Sequence, residues 1–240
     1  MQTLTQPKLS YTLNEAEDAA AVIVAAGSAT RMGGVNKQLI NLANVPVIIR
    51  TIKAFIKAGF NNIVVVTKQD DILKFQQLFS EYKLSKVTDI VCGGATRHES
   101  VMNGIKAVKN KKYVLIHDGA RPLITPNLIN KVLKATKENE AAAPVLKLVD
   151  TIKKINKDGN IISTVNRDEL LSVQTPQGFL LSTYINAEAK VDANFLTDDC
   201  AVFEASGLPV FSVEGDPHNI KITTKEDILL AEMFLKLRGE

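Results

Sequence analysis

The chain has no tryptophan, two cysteines and three histidines among its 240 residues, and each scarcity removes a class of chemistry. Cys92 and Cys200 lie far apart with neither CxxC nor metal-ligand spacing. That argues against a disulfide scaffold or a zinc site and for a reducing compartment, the cytoplasm. No apolar run approaches the ~20 residues of a membrane-spanning helix. The first stretch carries Glu15, Glu17 and Asp18 where a signal peptide would be apolar, so no membrane partner is expected. Aromatic residues make up 5% of the chain, and the net charge of +3 comes from scattered lysines with no basic tract. No nucleic-acid partner is expected either. Gly27, Gly33 and Gly34 do not form GxGxxG, and no GxxxxGK[ST] occurs. A dinucleotide redox cofactor and a P-loop ATPase are thereby disfavoured.

What is present suits one large α/β domain, with 45% hydrophobic residues and enough length for a sizeable core. Its most informative segment is AVIVAAGSATRMGGVNKQ, from Ala21 to Gln38. An apolar strand runs into a small-residue loop that carries two cations, Arg31 and Lys37, and no carboxylate. Unpaired backbone N–H groups in such a turn form a concave donor surface for phosphate oxygens, and two fixed cations neutralise a polyphosphate. An ordinary strand-to-helix turn with two solvated cations is the alternative.

From Ala20 onward, β-branched runs over Ala21 to Ala26, Asn62 to Thr67, Lys86 to Val91, Tyr113 to Ile116 and Ala142 to Val145 read as strands. Helices are expected from the first turn at Pro46 to Gly59, and over Asp70 to Phe79, Ser100 to Lys109 and Asn127 to Glu138. The repeated β-α order implies a doubly wound, mostly parallel sheet with ligands beyond the carboxyl ends of the strands. There Gly27 to Lys37, Gly93 to Ser100 and His117 to Arg121 converge. The segment 147–173, rich in lysine and holding an Asp158-Gly159 turn signal, reads as a polar β-hairpin, an arm reaching away from the domain. The last helix starts near Thr223 or Thr224, where Thr223 and Glu226 have capping-box spacing. Residues 1–19 are read as an N-terminal extension and 20–240 as the functional domain.

The segments AAGSATRMGGVNKQ, GGATRHESVMNG, IHDGARP, DTIK, TVNRDELLSVQTPQGF, TDDCAVFEASG and VEGDPHNIKITTKEDILLAE resemble, in this order, the 2-C-methyl-D-erythritol 4-phosphate cytidylyltransferase family of the non-mevalonate isoprenoid pathway. The first motif is shared across sugar nucleotidyltransferases; IHDGARP and QTPQGF in series are much more specific. The resemblance implies a Rossmann-like nucleotidyltransferase domain and a homodimer with an exchanged arm. It also implies transfer of CMP from CTP to a polyol phosphate with release of pyrophosphate. In the implied roles Arg31 and Lys37 stabilise the transition state, while Arg167 and Lys221 position the attacking phosphate. Ala25, Ala26, Gly27 and Lys37 hold the nucleotide, and Gly93, Gly94 and Ser100 read its base. Asp118, at a strand end, meets Mg²⁺ or another divalent cation as well as substrate hydroxyls. Thr151 and Thr175 match positions that hydrogen-bond the acceptor; Arg121 either binds substrate or anchors its loop. His117 reads as a hydrogen-bonded structural residue, and Thr197 and Asp198 as a helix cap. Four positions depart from the family pattern: Ala29, Asn36, Asn166 and His218. A ribitol 5-phosphate cytidylyltransferase, a molybdopterin nucleotidyltransferase and a non-catalytic nucleotide-binding module remain as alternatives at this stage.

Overall fold

The computed structural model describes residues 16–27, 36–192 and 196–240; Arg31 and Ala29 of the expected phosphate loop lie outside them. Strand β1 (Ala19–Val24) lies inside the sheet, paired on both edges. It pairs in parallel with β4 (Ile63–Thr67) on one side and β6 (Tyr113–Asp118) on the other, and β4 pairs with β5 (Val87–Cys92). β1 and β4 are apolar almost throughout because both faces of a parallel sheet are covered. Ala21, Ile23, Ile63 and Val65 enter one core, while Val22, Val64 and Val66 enter the other.

Helices cover both faces. Helix α1 (Val47–Lys57), α2 (Ile72–Glu81) and α4 (Pro126–Asn139) pack Phe55, Phe75 and Ile129 into the first core. Helix α3 (Arg97–Ala107), α5 (Leu181–Glu188) and α6 (Cys200–Ala205) pack Val101, Tyr184 and Phe203 into the second. The doubly wound arrangement expected from the alternation of elements is therefore present. Pro46 stands just before α1 rather than within its first turn, and Gly59, with φ of 95°, follows its end. Thr125 caps α4 by accepting the Leu128 N–H ahead of Pro126.

Beyond β6 the sheet becomes mixed. Strand β7 (Ala141–Lys147) has β12 (Phe211–Glu214) parallel along one edge. Antiparallel β10 (Leu171–Val173) and β11 (Gln177–Leu180) follow one another along its other edge, and β11 bridges β7 to β6. This corrects the expected arm. The ends of segment 147–173 belong to the main sheet, and only β8 (Lys153–Ile155) and β9 (Ile161–Thr164) form a separate, fully exposed hairpin. Asn156 shapes its turn by accepting the N–H groups of Asp158 and Asn160, with Gly159 at φ of 85°. Two short strands, β2 (Asn41–Leu42) and β3 (Val45–Pro46), pair ahead of α1.

The last helix, α7 (Lys225–Arg238), is capped by Thr224 with Asp227 at the third position. The capping box is thus one residue later than the Thr223 and Glu226 pair suggested by spacing. Strand β1 already includes Ala19, and Ala16 packs into the first core, so residues on the N-terminal side of the residue-20 boundary belong to the packed domain.

Candidate active site

The carboxyl ends of β1, β5 and β6 open onto a cleft of about 340 Å³. Ala26, Gly27, Lys37, Gly94, Ser100, Asp118 and Lys221 line it, as do Gln38 and Arg97. The chain leaves β1 through Ala25, whose N–H donates to Val66 O at 2.7 Å, so the turn at Ala26 and Gly27 starts from the middle of the sheet. Gly93 has to be small. A Cβ there would come within 2.5 Å of the Ala26 Cβ and 2.8 Å of Ser100 Oγ. Ser100 lies in the first turn of α3, whose cap is Thr96, which accepts the Glu99 N–H. The Ser100 hydroxyl instead accepts from the Gly94 N–H at 3.0 Å and donates to Thr96 O at 2.9 Å. It thereby fixes the glycine turn after β5 to the helix that follows. A larger hollow of about 600 Å³ lies between α2 and β5, away from these strand ends and their cluster of charges.

Asp118, the last residue of β6, is the electrostatic centre. Lys221 Nζ lies 3.0 Å from Oδ2, Arg121 Nε 3.5 Å from Oδ2, and Arg97 Nε 3.7 Å from Oδ1. Burial alone would raise the Asp118 pKa. Lys221, Arg97 and Arg121 outweigh it and hold the carboxyl well below the usual range, so it is ionised. Arg97 in turn makes a bidentate pair with the buried Asp199, at 3.0 and 2.7 Å. Its pKa lies above the ordinary value because Asp199 and Asp118 override the effect of burial. Burial dominates at Asp199 and pushes its pKa upward despite Arg97. Gln177 of β11 secures that segment by accepting the N–H groups of Asp199 and Cys200 and donating to Asp198 Oδ2. Asp198 also receives the Ala201 N–H, in keeping with its reading as a helix cap.

Lys221 reaches Asp118 because the segment after β12 is strapped to the β6 loop. Ile222 N–H donates to Ala120 O at 2.8 Å, and Arg121 donates to Asn219 O at 2.8 Å. The buried Asn219 side chain donates to Thr175 O. Thr175 sits behind Asp118, its hydroxyl accepting the Asp118 N–H at 3.1 Å and meeting His117 Nδ1 at 3.0 Å. His117 is buried, and desolvation lowers its pKa to about 3; it is neutral at working pH and serves as a hydrogen-bonding wedge.

Arg167 and Thr151 lie elsewhere. Both are exposed and outside the cleft of their own chain, and Arg167 donates to Val149 O. Asn166 caps the short turn Arg167–Glu169 through the Asp168 N–H. Asn36, another departure from the family pattern, donates to Asp71 Oδ2 and accepts the Gln38 N–H. His218 pairs with Asp216 at 3.0 Å. Asp216, also bound by Arg238, does not line the cleft. Among the described residues no three His, Cys, Asp or Glu side chains gather into a metal site. Among the described lining residues the one carboxylate is the ionised Asp118, which suits a cation shared with phosphate oxygens. Sequence reasoning did not single out Arg97, Asp199, Gln177 or Asn219. Their partners are remote in the chain, so no local pattern marked them.

A family model described as 2-C-methyl-D-erythritol 4-phosphate cytidylyltransferase (IspD) matches residues 19–237. Curated proteins of that name from Clostridium novyi and Geobacillus thermodenitrificans are 44% and 42% identical to the chain. The matches cover 90% and 91% of this chain and 96% and 97% of those proteins. Among solved structures, the 4-diphosphocytidyl-2C-methyl-D-erythritol synthase of Anaerococcus prevotii superposes with a TM-score of 0.79 at 31% identity. It covers 91% of this chain and 96% of its own. The 2-C-methyl-D-erythritol 4-phosphate cytidylyltransferase of Thermus thermophilus gives 0.72 at 29% identity, with coverage of 90% and 98%.

Proposed function

The chain belongs to the 2-C-methyl-D-erythritol 4-phosphate cytidylyltransferase family and transfers CMP from CTP to that acceptor, and from this premise we propose how its residues divide the work. The step belongs to non-mevalonate isoprenoid biosynthesis. A phosphate oxygen of the acceptor attacks the α-phosphorus of CTP, the bond to the β-phosphate breaks, and pyrophosphate leaves. Two anions must meet, so positioning and cationic stabilisation supply most of the catalysis.

In this reading Arg31 and Lys37 take the charge that develops on the triphosphate, with the backbone of Ala25, Ala26 and Gly27 beneath it. Gly93, Gly94 and Ser100 present backbone groups to the edge of cytosine. Asp118 orients substrate hydroxyls and would hold a divalent cation such as Mg²⁺, which would offset charge on the phosphates. Lys221 and Arg167 hold the acceptor phosphate, aided by Arg121 and Thr151. Thr175, expected to touch the acceptor, is buried behind Asp118 with its hydroxyl engaged by the Asp118 N–H and His117, and it positions that strand end instead. The observation that carries the assignment is the ionised Asp118 surrounded by Lys221, Arg97 and Arg121 in a cleft that Lys37 also lines. The free state of Cys92 and Cys200 supports a reducing compartment, the cytoplasm.

Arg167 and Thr151 serve the site of a second copy in this account, which makes the enzyme a homodimer that exchanges its hairpins. In support, the hairpin region exposes Val149, Ile155, Ile161 and Ile162, an apolar set that a partner would cover. The test mixes Lys37→Ala with Arg167→Ala subunits, each nearly inactive alone. Random exchange makes half of the dimers mixed, each with one intact site, and activity returns to about a quarter of wild type. Verified exchange without recovery would remove the shared site.

A further inference from the structure

The turn that follows β5 spends its donors inward. The Gly93 N–H donates to Thr67 O at 2.8 Å, the Gly94 N–H to Ser100 Oγ at 3.0 Å and the Ala95 N–H to Glu99 Oε2 at 2.7 Å. The Ser100 hydroxyl gives its own proton to Thr96 O. Gly94, Ala95 and Ser100 all line the cleft. What these three residues have left to offer a ligand is oxygen, which accepts.

Glu99 makes the last of these bonds from outside the cleft; its side chain is exposed and does not line the cavity. It is the third residue of α3, the position from which a capping glutamate ordinarily reaches back to the N–H of the cap residue. Here the cap is Thr96, and the carboxylate passes it to take the Ala95 N–H, one residue earlier. The side chain runs close over Gly94, where an added Cβ would lie 2.3 Å from the Glu99 Cβ and 2.6 Å from Oε2. This charge-assisted bond therefore shapes the cleft wall as well as the helix end. The donor it withdraws matters for a pyrimidine. Cytosine carries at C4 an amino group that donates, and uracil carries there a keto oxygen that accepts. A turn that only accepts suits the first, whereas a free Ala95 N–H would suit the second.

We propose that Glu99 is a positioning residue that sets nucleotide specificity: by holding the Ala95 N–H inward it leaves the turn after β5 able only to accept, which selects cytosine over uracil. The inference rests on the cytidylyltransferase reading, in which this turn reads the base. Glu99→Ala removes the acceptor and frees the Ala95 N–H. In steady-state pyrophosphate release at saturating methylerythritol phosphate, it lowers the ratio of kcat/KM for CTP to that for UTP by about tenfold or more. Part of that change is a rise in kcat/KM for UTP itself. KM for the acceptor and kcat at saturating CTP stay near wild type, because Glu99 acts through the base-reading turn alone. Glu99→Gln still presents an oxygen to the amide and keeps most of the preference. Glu99→Met, which also lacks an acceptor, repeats the test should the Ala variant fail to unfold cooperatively.

A residue that served only as a helix cap would lower Tm and reduce kcat/KM for both nucleotides in the same proportion. An unchanged CTP to UTP ratio in a folded Glu99→Ala enzyme therefore overturns the proposal. So does a Glu99→Gln enzyme that loses as much preference as the alanine variant. A wild-type enzyme inactive with CTP and acceptor overturns the reaction itself and this inference with it; an active wild type beside a variant of unaltered preference overturns this inference alone.

Discussion

Replacing Gly93 by alanine tests whether the turn after β5 is built by close packing onto the nucleotide loop. The added methyl would lie 2.5 Å from the Ala26 Cβ and 2.8 Å from Ser100 Oγ. Carbon atoms pack best at about 3.5–4.0 Å, so one contact is short by roughly 1 Å. Neither neighbour is the end of a flexible chain: the Ala26 Cβ is fixed to the backbone leaving β1, and Ser100 Oγ is held by Gly94 N–H and Thr96 O. The backbone must therefore move. Overpacking of this kind costs about 1–3 kcal/mol, which for a chain of this length lowers Tm by roughly 2–12 °C. A displacement near 1 Å at a positioning element costs up to about a hundredfold in rate; we expect kcat/KM for CTP to fall at least tenfold. The assays are thermal unfolding monitored by fluorescence and pyrophosphate release with CTP varied at saturating acceptor. Gly27→Ala is the control, because among the described residues nothing lies within 4 Å of its added Cβ, and its Tm stays at the wild-type value. A Gly93→Ala enzyme with wild-type Tm and unchanged kcat/KM for CTP would refute the packing argument.

Lys37→Ala lowers kcat by about a hundredfold or more while changing CTP affinity much less, since its charge acts on the transition state; equal losses in binding and rate would make it a ground-state clamp. Asp199→Ala strands Arg97 in a partly buried setting, and breaking such a pair costs about 3–5 kcal/mol. Because the Arg97 side chain keeps 31% exposure, the lower end applies, a fall of about 6–12 °C in Tm, and an unchanged Tm would show that water replaces the carboxylate. His117 is held neutral in the fold with a pKa of about 3 against 6.5 when unfolded. The unfolded chain thus binds the extra proton between these values, and this residue's contribution to stability is lost as pH falls from about 6 toward 4, at about 1.4 kcal/mol per unit. Urea unfolding of wild type and His117→Gln across that window should differ by this slope; parallel curves would contradict the burial argument.

The parallel half of the sheet was legible because β1, β4 and β6 are apolar on both faces and stand between amphipathic helices. The positions of Ala26, Gly94 and Asp118 at the strand ends followed from the same alternation, whereas Lys221, in the loop between β12 and α7, was marked only by the family resemblance. What escaped was set by pairing at a distance. The exposed residues of β10 read as part of the polar hairpin, yet their backbone pairs with β7. Arg97 looks like any solvated cation until α6 brings Asp199 against it. The capping box moved by one residue because Asp227, rather than Glu226, faces back onto the N–H groups of Thr223 and Thr224.

The most direct measurement of the central claim is a pyrophosphate-release panel crossing CTP, ATP, GTP and UTP with 2-C-methyl-D-erythritol 4-phosphate and ribitol 5-phosphate, with and without a divalent cation. The account predicts release that requires acceptor and cation together and strongly favours CTP with methylerythritol phosphate, with the cytidylyl product formed in step with pyrophosphate. Turnover of ribitol phosphate equal to or better than that of methylerythritol phosphate, or pyrophosphate released without any acceptor, would contradict it.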